Sequence, residues 1–304
     1  MRSHDLSHPA FIERGAHMTT TKIKASAKVA KFALIGAAWF LAATAQAKDW
    51  TTVTIATEAA YEPWNLTLPN GEIGGFEPEL MADLCARMKL QCVLKAQDWD
   101  GMIPGLQAGK FDVLMDAIVI TPEREEVIAF SLPYAATQGV LVAADPELIA
   151  SAGVASEVVK LTGDAAADKP HIDKLRSILS GKTIGIQSGT AYTEFVENNF
   201  KDIATIREYK KSGEHVLDLQ AGRIDFAFDD VTFFISALEK PENRSVAMVG
   251  FKIGGPIWGP GEALGFRKDT PELKAKFDEA LSAALADGTV KKLSEKWFKA
   301  DITP

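Results

Sequence analysis

Arg124 stands in a Glu-Arg-Glu-Glu run, one turn into a segment that opens Thr121-Pro122-Glu123. Threonine at a helix cap with proline at the first helical position predicts a helix start there. A guanidinium fixed on that turn can hold a carboxylate through two parallel hydrogen bonds; the alternative is a surface arginine among glutamates. Gln187-Ser188-Gly189-Thr190-Ala191 joins a predicted strand to a predicted helix. The unpaired N–H groups at such a helix start also suit an anion, although five residues alone are a weak signal. Asp229 and Asp230 follow a predicted strand over 223–228. Either Asp230 is a candidate contact for a cationic group, or Asp229 is and Asp230 caps the next helix. Asp116 closes an equivalent strand earlier in the chain. The sequence contains no nucleophile–base pair, metal-ligand cluster or cofactor motif, and two cysteines without a nearby histidine argue against structural zinc.

The elements that must position these residues alternate. Strands are predicted over 52–57, 92–96 and 111–115, and helices over 78–88 and 102–108, the first with apolar residues at 80, 81, 84, 85 and 88. The pattern restarts with strands over 182–186, 206–209 and 223–228 and helices over 191–198 and 214–221. Such alternation predicts an α/β fold with mostly parallel sheets. Residues 106–116 read LQAGKFDVLMD and residues 219–229 read LQAGRIDFAFD. Each is a helix end, a glycine stop and an apolar strand ending in an acid, which predicts two halves built alike; glycine stops also recur in any α/β chain. The Ala-rich 145–180 segment reads as surface helices and loop within the second half. Residues 270–298 read as helical, with Thr270-Pro271-Glu272 as a capped start.

Lys22, Lys24, Lys28 and Lys31 precede a short apolar run, FALIGAAWFLAA, and then Ala45-Gln46-Ala47. This is the order of a cleaved secretory signal, and the run is too short to span a bilayer. Residues 1–47 are therefore expected to be a leader, with Met18 the expected start and the mature chain beginning near Lys48. Its removal leaves 27 basic and 39 acidic residues, a net charge of −12, which argues against a nucleic-acid partner. In an exported chain, Cys85 and Cys92 read as a disulfide, or else as two buried thiols.

Eight segments in order carry a family resemblance: TEAAYEPW (57–64), GGFEPELMADLCARM (74–88), QDWDGMIPGL (97–106), ITPEREEVIAFSLPY (120–134), GIQSGTAY (185–192), AGRIDFAFDD (221–230), LGFRKD (264–269) and DGTVKKLSEKWF (287–298). Together they resemble the family-3 periplasmic amino-acid-binding proteins, nearest to the lysine/arginine/ornithine- and octopine/nopaline-binding branch. The resemblance implies a two-lobed type II periplasmic-binding-protein fold. Lobe 1 is expected at 48–136 plus 257–304, lobe 2 at 139–250, and hinges near 136–139 and 250–257.

It further implies a small amino-acid or opine ligand, hinge closure, a membrane permease of an ABC importer as partner, a periplasmic monomer, and no cofactor. Arg124 would take the ligand α-carboxylate with backbone donors of Gln187, Gly189, Thr190 and Ala191, and Asp230 its ammonium. Glu58 would select a cationic side chain. Tyr61 and Trp99 would be its aromatic walls, although Trp99 can also be read as core; Trp64 reads as core. Asp116, Ala117 and Val119 stand where the lysine/arginine-binding pattern has hydroxyls. Val119 offers no side-chain hydrogen bond, while Asp116 adds a carboxylate, either to the ligand or behind it. His215 reads as structural. An enzyme of the cyclohexadienyl dehydratase kind, with Glu58 or Asp116 as acid–base, and a sensor that reports to a receptor are the alternative roles.

Overall fold

The computed structural model describes residues 50–136 and 138–304. The leader expected at 1–47 lies outside these residues.

Two mixed sheets form the scaffold. The first runs in the order Gln91–Ala96, Thr52–Thr57, Val113–Leu114, Gly265–Phe266, Ala129–Phe130. Its first three strands are parallel, and Gly265–Phe266 lies antiparallel to both neighbours. The second runs Thr205–Tyr209, Thr183–Gln187, Phe226–Asp230, Gly139–Ala143, Ala247–Gly254, Val158–Lys160. The chain passes to the second sheet between Phe130 and Gly139 and returns between Gly254 and Gly265. Each sheet is buried by helices that the apolar spacing anticipates. Helix Phe76–Met88 places Phe76, Leu80 and Leu84 against Phe277, Leu281 and Phe298 from the two C-terminal helices. Helix Ala191–Phe200 packs Phe195 and Val196 against Ile184, Phe228 and Trp258.

The internal match is structural as well as textual. Gly109 and Gly222 both take positive φ, 72° and 66°, the left-handed turn that glycine permits at a helix end. Lys110 N–H then bonds to Gly105 O, and Arg223 N–H to Asp218 O. Asp112 accepts from Thr54 N–H at 2.9 Å and Asp225 from Thr183 N–H at 2.7 Å. These two carboxylates pin each unit to the strand beside it, with Ile55 opposite Val113 and Ile184 opposite Phe226. As a result, Asp116 and Asp229, the acids that close the two units, both reach the same edge of the fold.

The structure corrects three local expectations. The strand expected over 223–228 is Phe226–Asp230, so both aspartates belong to it. The 145–180 segment contains a strand, Val158–Lys160, because it pairs with Ala247–Gly254. Thr270 precedes its helix, but its hydroxyl donates to Arg267 O and caps nothing. Of the two cysteine readings, the disulfide is found: Cys85 and Cys92 are bonded across a Cα separation of 6.2 Å.

Candidate functional site

The carboxyl ends of the parallel strands in both sheets converge on a cavity of about 30 Å³. From the first sheet's side it is lined by Glu58, Tyr61, Trp99, Asp116, Ala117, Val119 and Arg124. From the second it is lined by Gln187, Thr190, Ala191, Tyr192 and Asp229. This volume holds one or two waters, so the walls lie in contact across the cleft. Two residues expected here are not lining residues: Gly189, whose carbonyl nonetheless faces Arg124, and Asp230.

Arg124 is carried by the helix Pro122–Val127, whose Thr121 hydroxyl caps Arg124 N–H at 3.3 Å. Its guanidinium donates to Val119 O at 2.8 Å and, across the cleft, to Gly189 O at 3.1 Å. It also lies over the Trp99 ring, 5.3 Å from the centroid. Among the described residues no carboxylate pairs with it, and burial lowers its pKa to about 10, against the opposing pull of Glu194 and Glu123. A cation held only by carbonyl dipoles and a ring face is well placed to receive an anion. The turn opposite is suited to the same charge. Gly189 sits at φ 69°, and Thr190 opens the helix Ala191–Phe200 in a reciprocal cap with Thr193. The first-turn N–H groups of that helix point out of its end.

The acids divide by how well the protein satisfies them. Asp229 accepts from Tyr61 O–H at 2.7 Å and from Asp230 N–H at 2.7 Å on Oδ1, and from the Ser212 hydroxyl and His215 Nε2 on Oδ2. Asp230 caps the helix Val231–Glu239 through Thr232 and takes Tyr192 O–H at 3.0 Å on its other oxygen. The capping alternative therefore describes Asp230.

Asp116 Oδ1 accepts from Glu58 N–H at 2.7 Å, Asn65 Nδ2 at 2.8 Å and Thr57 O–H at 3.2 Å. Burial first, then Glu77 and Glu58, hold its pKa well above the carboxylate range, and it lies behind Glu58. Glu58 is different. It is 5% exposed, yet among the described residues it receives only the Gln187 amide, 3.3 Å from each oxygen. Burial raises it to about 7, against the lowering influence of that amide and of Lys211.

Tyr61 stacks on Phe233 at 5.2 Å, while Trp99 is a half-buried wall of the cavity and Trp64 is core, fully buried, with Nε1 on the Thr232 hydroxyl at 2.8 Å. Ala117 takes φ 45° and Ala59 φ 55°, sparsely populated conformations for alanine, clustered at the site. Ala117 N–H donates to buried Glu77 at 2.7 Å. Val119 contributes a carbonyl that accepts from Arg124. Sequence reasoning missed Tyr192 as a lining residue, although it directly follows the turn 187–191. It also missed the fixing of Asp229 by Ser212 and His215, a tertiary contact that no local pattern announces.

The sequence profile of the bacterial extracellular solute-binding proteins, family 3, matches residues 53–300. An octopine-binding periplasmic protein of Rhizobium meliloti is 42% identical, over 88% of this chain and 97% of its own. A lysine/arginine/ornithine-binding periplasmic protein of Escherichia coli is 30% identical, over 83% and 89%. Among solved structures, a periplasmic His/Glu/Gln/Arg/opine family-binding protein from Silicibacter pomeroyi in complex with lysine is 27% identical. It superposes with a TM-score of 0.66 over 83% of this chain and 99% of its own. With the two sheets and the cleft between them, this match means that the chain belongs to the bacterial extracellular solute-binding proteins, family 3.

Proposed function

We propose that this chain is the periplasmic binding component of an ABC importer for a cationic amino acid or an arginine-derived opine, exported by the leader at 1–47 and acting as a monomer that delivers its ligand to a membrane permease. Glu58 carries the reading. A buried carboxylate that receives one long amide contact gains most from a cationic group, and a neutral side chain would leave it unpaired. The likeness to the octopine-binding and the lysine/arginine/ornithine-binding proteins supports the same ligand class.

In this mechanism lobe 1 (48–136 and 257–304) and lobe 2 (139–250) part about hinges at 136–139 and 250–257, and the ligand enters. Arg124 exchanges its bond to Gly189 O for the ligand carboxylate, which the N–H groups of Gly189 to Ala191 also approach. The ligand ammonium meets Asp230 Oδ2, the oxygen outside the helix cap that Tyr192 O–H also reaches, once the parted lobes uncover it. Glu58 takes the side-chain cation, with Trp99 and the Tyr61 ring as walls, and closure buries it. The test is a thermal-shift and calorimetric screen of the mature protein with arginine, lysine, ornithine, histidine, glutamine, octopine and nopaline. A ligand that binds only the folded state raises the melting temperature. The reading expects a rise with arginine or an opine and none with glutamine. A response confined to neutral compounds would overturn the role of Glu58.

A further inference from the structure

Asp229 has no acceptor capacity to spare. A carboxylate offers about four lone-pair sites, and Asp229 receives four donors: Tyr61 O–H, Asp230 N–H, Ser212 O–H and His215 Nε2. Three belong to the second sheet and its helices. The fourth, Tyr61, comes from a small antiparallel sheet of Ala60–Tyr61, Asn65–Thr67 and Ile73–Gly74 that belongs to the first side of the cleft. The bond at 2.7 Å between Tyr61 and Asp229 therefore runs from one side of the cleft to the other.

Two features show that Asp229 is held for this bond. Ser212 and His215 both lie in the first turns of the helix Ser212–Gln220, 1% and 0% exposed, and both take the same oxygen, Oδ2, leaving Oδ1 turned to Tyr61. His215 does so at a cost: among the described residues its buried Nδ1 has no partner, and the ring sits among Tyr209, Phe233 and Phe234. A leucine would fill that apolar site without an orphaned nitrogen, so the contribution of the imidazole is its bond to Asp229. The Tyr61 ring meets the same side of the cleft through its stack on Phe233.

We propose that His215 and Ser212 are positioning residues that aim Asp229 at the Tyr61 hydroxyl, so that lobe closure forms a protein-to-protein hydrogen bond that contributes to ligand affinity without touching the ligand. The inference rests on the two-lobed closure read above but not on the identity of the ligand.

A double-mutant cycle with L-arginine and octopine as probes tests it. Tyr61→Phe keeps the ring and removes the hydroxyl; His215→Leu removes the donor; His215→Gln retains one. The expected result is a Kd raised about tenfold by Tyr61→Phe and by His215→Leu. The double variant should be no weaker than the worse single, and His215→Gln should lie within about threefold of the parent. Multiplying effects, or no change in either single variant, would overturn the proposal. If His215→Leu fails to fold, Ser212→Ala takes its place in the cycle with the same expectation.

If neither probe binds the parent protein, the ligand reading fails and the latch is still testable. Energy transfer between dyes at Lys110→Cys and Lys201→Cys, both exposed and on opposite sides of the cleft, should then report a smaller closed fraction of the ligand-free protein in Tyr61→Phe and His215→Leu than in the parent. Unchanged transfer in both would sink the latch independently.

Discussion

Burial moves the Glu58 carboxyl from 4.5 to about 7, and the sign of the consequence follows from proton counting. Between those values the folded chain holds a proton that the unfolded chain has released. The contribution to stability is complete below pH 4.5 and is lost as pH rises through 7, an effect of roughly 3 kcal/mol in total. Ligand-free protein should therefore lose stability from pH 5 to 8 relative to Glu58→Gln in denaturant titrations. A constant difference between the two would show that Glu58 is solvated and ionised throughout. On the proposed function a cationic ligand reverses the balance, because it favours the ionised form. Arginine binding at pH 6 should release protons, visible as a buffer-dependent calorimetric heat. Arg124 makes a second test at this scale. On the proposed function, Arg124→Ala would leave the ligand carboxylate without its cation and should weaken binding at least about 100-fold. Arg124→Lys should rescue it only in part, because an ammonium cannot reproduce the two-pronged contact. Equal binding by all three proteins would place the anion site elsewhere.

At the scale of elements, the two halves show which devices are local and which are not. The glycine stops, the Thr121-Pro122 start and the helical faces were legible because capping chemistry and apolar spacing act over a few residues. Strand Val158–Lys160 was not, since its only reason to extend is the partner strand Ala247–Gly254. The end of Phe226–Asp230 was not either, because its last pairs are made to Gly139 and Val140 in the antiparallel neighbour. Glycine tests this separation directly. Gly222 and Gly189 take nearly the same φ, 66° and 69°. A Cβ at Gly222 would meet nothing within 4 Å, and one at Gly189 would touch Trp99 Nε1 at 3.5 Å. Both substitutions to alanine should cost about 1–2 kcal/mol in chemical denaturation, the penalty for a left-handed L-residue. Only Gly189→Ala should also change ligand affinity, since it alters the turn facing Arg124. Loss of binding in Gly222→Ala with unchanged stability would contradict this division.

For the molecule as a whole, the resemblance in eight ordered segments was enough to anticipate the two-lobed fold, whereas the packing across the cleft depends on contacts between residues far apart in sequence. Those cross-cleft contacts include Tyr61 with Asp229, Glu58 with Gln187, Arg124 with Gly189 O, and Lys240 with Glu62 at 2.7 Å. The last is exposed enough to add little; the first three surround the cavity. A cavity of about 30 Å³ cannot admit an amino acid while these contacts hold, so uptake through the cleft requires them to open and closure to re-form them around the ligand. Solution scattering gives the outcome. A compact chain of this length has a radius of gyration of roughly 18 Å, and saturating ligand should bring the mature protein to that value from a larger one. Tyr61→Phe should need more ligand to reach the same end point, because the closed form loses a bond that the open form never had. If the radius is already at its compact value without ligand and does not change on binding, the lobes do not part on average, and entry must proceed through a minority open population. The association rate would then fall in proportion to that population, which stopped-flow binding measures directly.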